Sequence, residues 1–223
     1  MADESKPLQS LQFIQRPPSG DPEGTLVLLH GRGVDERDLA PLLDELDPDR
    51  RLLGVAPRGP LSLPGSPGAH WYIVRRVGYP DPDSFVESYA RLGAWLEALA
   101  ESTGIPPERT VLGGFSQGAV MAYALGLGEG RPRPAAILAM SGFVPVVDGW
   151  NADLEARRGL PVAITHGTRD PVIGVEFGRR ARELLERAGL DVSYRESPIG
   201  HGIDPAWLPD LASWLRRVFG LPD

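Results

Sequence analysis

Short, apolar, β-prone runs alternate with segments of helical spacing along most of this chain, and that alternation restricts its fold more than any other feature. The runs are TLVLL (25–29), RLLGV (51–55), TVLG (110–113), AAILAM (135–140), PVAIT (161–165) and DVSYR (191–195). Near-continuous apolar runs suit strands that are buried on both faces. Between them, apolar residues recur at intervals of three and four. Leu39, Leu42, Leu43 and Leu46 form one stripe, and Phe85, Tyr89, Leu92, Leu96 and Leu99 a longer one. Phe177, Ala181, Leu184 and Ala188 form a third, closed by Gly189, and Leu208, Leu211, Leu215 and Val218 a fourth, before Gly220. Such stripes face a core. The long stripe has a start signal in Asp81-Pro82 followed by Ser84 and Glu87, readable as a capping box, and a stop signal in Gly104.

Strands that alternate with helices need crossover connections, which predicts an α/β fold with a mainly parallel central sheet and helices on both faces. LQFIQR (11–16) is expected to add an antiparallel edge strand. No break in composition divides the chain, so residues 1–223 read as a single domain. The segment APRGPLSLPGSPGAHW (56–71) has no period. A loop of that length in a compact domain is usually functional, and Leu61, Leu63 and Trp71 suggest that it packs over something.

GGFSQGAV (113–120) carries the chemistry. A G-x-S-x-G pattern is weak evidence alone, but this one follows a strand signal and precedes Ala119, Met121, Ala122 and Leu125, a helical pattern. A strand-turn-helix of this kind projects the serine from a strained turn, and glycines at 114 and 118 leave room for it. The helix N-terminus beneath Ser116 favours developing negative charge. A serine hydroxyl needs a base. His30 and His166 end strands, and His201 lies in the GHGI loop after the last strand, so position alone leaves all three open. Asp170, in TRDPVI, follows the strand PVAIT and could orient an imidazole. The order Ser116, Asp170, His201 matches that of a hydrolase built on this topology. The HGRG turn after TLVLL would present backbone N–H groups to a ligand, and those of Arg32 and Gln117 are the expected oxyanion-hole pair.

Other classes of function fit less well. A net charge of −7 argues against nucleic acid as a partner. There is no cysteine, which removes thiolate chemistry and disulfides and fits a cytoplasmic location. MADESKPLQS is not a secretory signal, and no apolar run is long enough to span a membrane. HGRG does not complete a dinucleotide fingerprint, and there is no Walker loop or H-E-x-x-H pair, so no cofactor and no metal are expected.

With these pieces together, the chain resembles the α/β-hydrolases, and more narrowly the phospholipase/carboxylesterase family that includes the acyl-protein thioesterases. The resemblance rests on LLHGRG, VAPRGP…LPG…WY, GGFSQG, HGTRDPVI and GHGI, spread from residue 28 to 203. It implies an α/β-hydrolase fold and a triad of Ser116, Asp170 and His201, with Arg32 and Gln117 in the oxyanion hole. It also implies a small-molecule ester or thioester substrate, cleaved through an acyl-enzyme. The family often has Trp-Phe/Tyr-Asp where this chain has Trp71-Tyr72-Ile73, and Gly where it has Ala119. Leu61, Leu63 and Trp71 are candidates for one wall of the acyl site, and Phe143 and Val144 for another. Arg75 and Arg76 either favour an anionic substrate or are a solvated pair. A cofactor-free perhydrolase and a catalytically silent hydrolase-fold binding protein are the alternative functions.

Overall fold

The computed structural model describes residues 11–63 and 65–221; the first ten residues, read above as lacking a signal, lie outside them. Seven strands make one sheet. They are β1 (Phe13–Arg16), β2 (Thr25–Leu29), β3 (Leu53–Pro57), β4 (Thr110–Phe115), β5 (Ala136–Met140), β6 (Pro161–Gly167) and β7 (Asp191–Ser197). Their spatial order is β1-β3-β2-β4-β5-β6-β7. β1 runs antiparallel to β3 at one edge, and every other pairing is parallel. The five principal helices are α1 (Ala40–Leu46), α2 (Pro82–Thr103), α3 (Gln117–Leu127), α4 (Val175–Arg187) and α5 (Leu208–Phe219). This is the α/β-hydrolase fold expected from the sequence.

Alternation along each strand divides the core in two. Val27 and Leu29 of β2, with Ile137 and Ala139 of β5, join the cluster covered by α2, α3 and α4. Leu26 and Leu28, with Ala136, Leu138 and Met140, join the cluster covered by α1 and α5. Helix α3 is buried at all eleven positions, which explains why its sequence is apolar nearly all round.

Some local readings change. The cap of α2 is Asp81, whose carboxylate accepts the Ser84 N–H at 3.1 Å. The Ser84–Glu87 box does not form, because Pro82 already takes the first helical position and sets the start at Asp81. In α4, Phe177, Ala181 and Ala188 face the core as read, but Leu185 is buried in place of Leu184, which is 42% exposed. Segment 56–71 is not a free loop. Leu61–Ser62 pairs antiparallel with Ala69–His70, and Trp71 is completely buried.

Sheet order decides where a site can form. β3 lies on one side of β2, and the chain then returns to place β4 on the other side. The crevice at the carboxyl ends of β2 and β4 is therefore a topological switch point, where open α/β sheets bind their ligands.

Candidate active site

Ser116 follows β4 at that crevice, with φ 55° and ψ −118°. Few non-glycine residues tolerate this conformation, and it is held by the Ser116 N–H donating to Met140 O at 2.9 Å. The glycines two residues either side are obligatory. A Cβ on Gly114 would lie 2.5 Å from Gly118 O, and one on Gly118 would overlap the Leu29 carbonyl and lie 2.7 Å from His30 O. The turn is thus wedged between the end of β2 and the start of α3.

The carboxyl ends of β6 and β7 bring two further side chains to the serine. His201 Nε2 lies 2.8 Å from Ser116 Oγ, and His201 Nδ1 lies 2.6 Å from Asp170 Oδ2. The other Asp170 oxygen accepts the N–H groups of Val172 at 2.8 Å and Ile173 at 2.9 Å. An ionised carboxylate only accepts, so the Nδ1 proton faces Asp170 and the Nε2 lone pair faces the hydroxyl. Phe115 packs against the imidazole with ring centroids 4.8 Å apart.

His30 and His166 have other partners. His30 Nδ1 lies 2.6 Å from Gly31 O, and its Nε2 accepts the Gly59 N–H at 2.9 Å. Burial lowers its pKa, which keeps this neutral bridging form. His166 is buried beneath the site and donates from Nε2 to Ile173 O at 2.8 Å, 3.7 Å from Asp170 Oδ2. Burial, with a smaller contribution from the nearby Arg32 charge, lowers the pKa of His70.

The HGRG turn is clipped to segment 68–70: Gly33 N–H donates to Ala69 O at 2.8 Å, and Ala69 N–H to Val34 O at 2.7 Å. Gly33 has φ +90°, so only glycine fits without strain. Arg32, Ser116 and Gln117 line one pocket of about 160 Å3, together with Tyr72, Val74, Arg76, Val77, Phe143, Val172 and Ile173. Gln117 begins α3, so its backbone N–H has no acceptor within the helix.

Of the five apolar residues read as an acyl wall, Phe143 lines this pocket; Leu61, Leu63, Trp71 and Val144 do not. Trp71 lies beneath it, because its indole N–H donates to His30 O at 2.8 Å and its backbone N–H donates to Gln117 Oε1 at 2.8 Å. The Gln117 amide in turn donates to Tyr72 O at 2.7 Å. The side chain beside the serine therefore holds the segment that forms the pocket wall. Sequence reading missed Tyr72, Val74 and Val77, which belong to or flank a small hairpin, Val74–Arg76 with Tyr79–Pro80. Its signal was Gly78, with φ +86°, between β-prone residues. Val172 and Ile173 were missed because they reach the wall through the turn that wraps Asp170.

Among the described residues, no group of three or more His, Cys, Asp or Glu side chains could hold a metal ion. No helix among them is long and apolar enough to cross a membrane.

The sequence pattern of the Phospholipase/Carboxylesterase family matches residues 11–219. The chain belongs to the phospholipase/carboxylesterase family. It is accordingly a serine hydrolase. Acyl-protein thioesterase 1 of Gibberella zeae is 29% identical over 221 residues, covering 90% of this chain and 93% of that protein. Acyl-protein thioesterase 1 of Mycosarcoma maydis is 30% identical over 231 residues, covering 92% and 96%. Among solved structures, esterase PE8 is 31% identical with a TM-score of 0.78, covering 94% of this chain and 99% of that one. The Bacillus cereus carboxylesterase superposes with a TM-score of 0.81 at 23% identity over 93% of this chain and 94% of that one, a likeness of fold. Phospholipase/carboxylesterase membership thus extends over nearly the whole described chain.

Proposed function

We propose that this hydrolase cleaves carboxylic esters or thioesters through Ser116, His201 and Asp170 by way of an acyl-enzyme. The observation that carries the reading is the unbroken hydrogen-bond chain from Ser116 Oγ through both imidazole nitrogens to Asp170. In the first half-reaction His201 Nε2 takes the hydroxyl proton as Oγ attacks the carbonyl carbon. Asp170 holds the ring and stabilises its charged form. The backbone N–H groups of Arg32 and Gln117 receive the oxyanion; losing one such donor costs about 3–4 kcal/mol of transition-state stabilisation. The tetrahedral adduct collapses, and the alcohol or thiol leaves with the proton from His201. Water then repeats the sequence on the acyl-enzyme, releasing the acid and restoring the hydroxyl.

The N-terminus of α3 lies beneath the serine, and its unpaired N–H groups favour the same negative charge. Thioesters are included because the curated relatives are named acyl-protein thioesterases. The test is labelling by a fluorophosphonate probe, combined with turnover of nitrophenyl esters and one acyl thioester. Wild type should label at Ser116 and turn over, and Ser116→Ala should do neither. Undiminished turnover by the variant would remove Ser116 from the reaction.

A further inference from the structure

We infer that the pocket selects a short carboxylic ester that carries a negative charge near the scissile carbonyl, received by Arg76 and Arg32. This rests on the serine-esterase reading above. Arg32 and Arg76 both line the pocket, and no Asp or Glu does. The chain as a whole has 30 acidic against 23 basic residues, so a positive wall is a local arrangement.

Neighbouring arginines are neutralised where these two are not. Arg75 is paired with Asp81, and Arg58 lies 3.5 Å from Asp35 and 3.1 Å from Glu36. Among the described residues, neither Arg32 nor Arg76 has a carboxylate within ion-pair distance. The adjacent Arg75 and Arg76 thus differ in kind: the first ties the hairpin to the start of α2, and the second has its charge free.

Arg76 is also held in place. Its guanidinium carbon lies 3.8 Å from the centroid of the Tyr79 ring, on the facing strand of the hairpin. Stacking on an aromatic face leaves the in-plane N–H groups available, and that fork matches a carboxylate or a phosphate. The Asp170 carboxylate does not cancel this field for a ligand, because it is buried behind the imidazole and engaged by His201 and two backbone amides.

The other walls limit size. Val74, Val77, Phe143, Val172 and Ile173 make them apolar. The volume of about 160 Å3 is well below the roughly 300–1,000 Å3 of ordinary small-molecule sites. A short acyl group with one anionic substituent satisfies both the apolar walls and the free cations. A long neutral chain leaves both cations without a counter-charge.

The test compares matched pairs of esters by pH-stat titration on the whole protein. Ethyl hydrogen glutarate against ethyl pentanoate places the charge on the acyl side. The butanoyl ester of glycolate against ethyl butanoate places it on the alcohol side. The readout is the ratio of kcat/KM for the charged and the neutral member. At least one pair should favour the charged ester by about tenfold, the scale of a hydrogen bond to an ionised group. That ratio should fall in about 0.5 M salt, which screens such an attraction. It should fall towards unity in Arg76→Gln and be only partly retained in Arg76→Lys, which keeps the charge but not the planar fork. Neutral esters turned over as well as charged ones would overturn the inference, as would a ratio indifferent to both salt and Arg76→Gln. Ser116 labelling by a fluorophosphonate separates the two levels: intact labelling without charge preference rejects only this inference, and failed labelling rejects the esterase reading with it.

Discussion

Asp170 and His201 meet through a single oxygen: Asp170 Oδ2 lies 2.6 Å from His201 Nδ1, while Oδ1 is fully occupied by the N–H groups of Val172 and Ile173. That division predicts the effect of Asp170→Asn. The two backbone donors demand an oxygen, so the amide nitrogen must face His201. It would donate to Nδ1 and drive the proton to Nε2, leaving no lone pair for the serine. Turnover of a nitrophenyl ester should fall by about 10⁴-fold with the fold intact. Steady-state kinetics beside a thermal melt will check this, and a loss below tenfold would contradict it.

Ser116, the proposed nucleophile, sits in a strained backbone conformation. Its φ of 55° costs about 1–3 kcal/mol in a non-glycine residue. Ser116→Gly should therefore raise stability by about 1 kcal/mol while kcat falls by roughly 10⁶-fold. Ser116→Ala should lose the same activity without the gain. Urea denaturation of the three proteins measures the difference.

Gly118 has no space for a side chain. In Gly118→Ala the new Cβ meets backbone at Leu29 and His30, and neither carbonyl can move without disturbing β2. A loss of at least about 3 kcal/mol is expected. Gly20→Ala, with nothing within 4 Å of the new carbon, should change stability by less than about 0.5 kcal/mol. Expression and denaturation midpoints compare them.

Gln117 acts through its side chain as well as its backbone. Gln117→Leu leaves the buried Trp71 N–H and Tyr72 carbonyl without partners. About 2 kcal/mol of stability should be lost. Because Tyr72 and Val74 form the pocket wall, KM should also rise while fluorophosphonate labelling of Ser116 persists. An unchanged KM would show that the segment keeps its place without the amide.

Glu196 supplies the clearest pH dependence. The Arg179 guanidinium binds both its oxygens at 2.8 Å, and Tyr194 OH donates to one of them at 2.8 Å. Arg179 first, and then Tyr194, lower its pKa from 4.5 to about 2 against the opposing effect of burial. A lowered folded value means the stabilisation is present above pH 4.5 and is lost as the pH falls towards 2. Glu196→Gln should cost about 1 kcal/mol at pH 7, a value kept small because the pair lies at the surface. The gap from wild type should close between pH 4.5 and 2 in denaturation curves. A gap that stays constant with pH would assign the cost to packing.

The fold was legible because its signals are local. TLVLL and AAILAM are apolar at every position but Thr25, and each became a strand buried on both faces. The helix stripes place their leucines by a period that any reader of the chain can count. Where that reading slipped, neighbours decided the outcome. Leu184 and Leu185 are alike in character and adjacent, so only the packing of α4 against the sheet selects Leu185. Trp71 reads as a pocket wall until its indole is found donating to His30 O beneath the site.

The sequence by itself determined the layered fold, the serine turn and the set of polar residues near strand ends, since strand burial, helix period and glycine spacing act over a few residues. Position alone left His30, His166 and His201 open; motif order and the family resemblance pointed to His201, but neither could show which ring reaches Ser116. Tertiary structure decided that, by occupying His30 and His166 with backbone partners and setting His201 between Ser116 and Asp170. It also decided which of two adjacent arginines is neutralised. The physical reason is common to both: hydrogen bonds and ion pairs form over 2.5–4 Å in space, between residues that the chain keeps 31 or 85 positions apart.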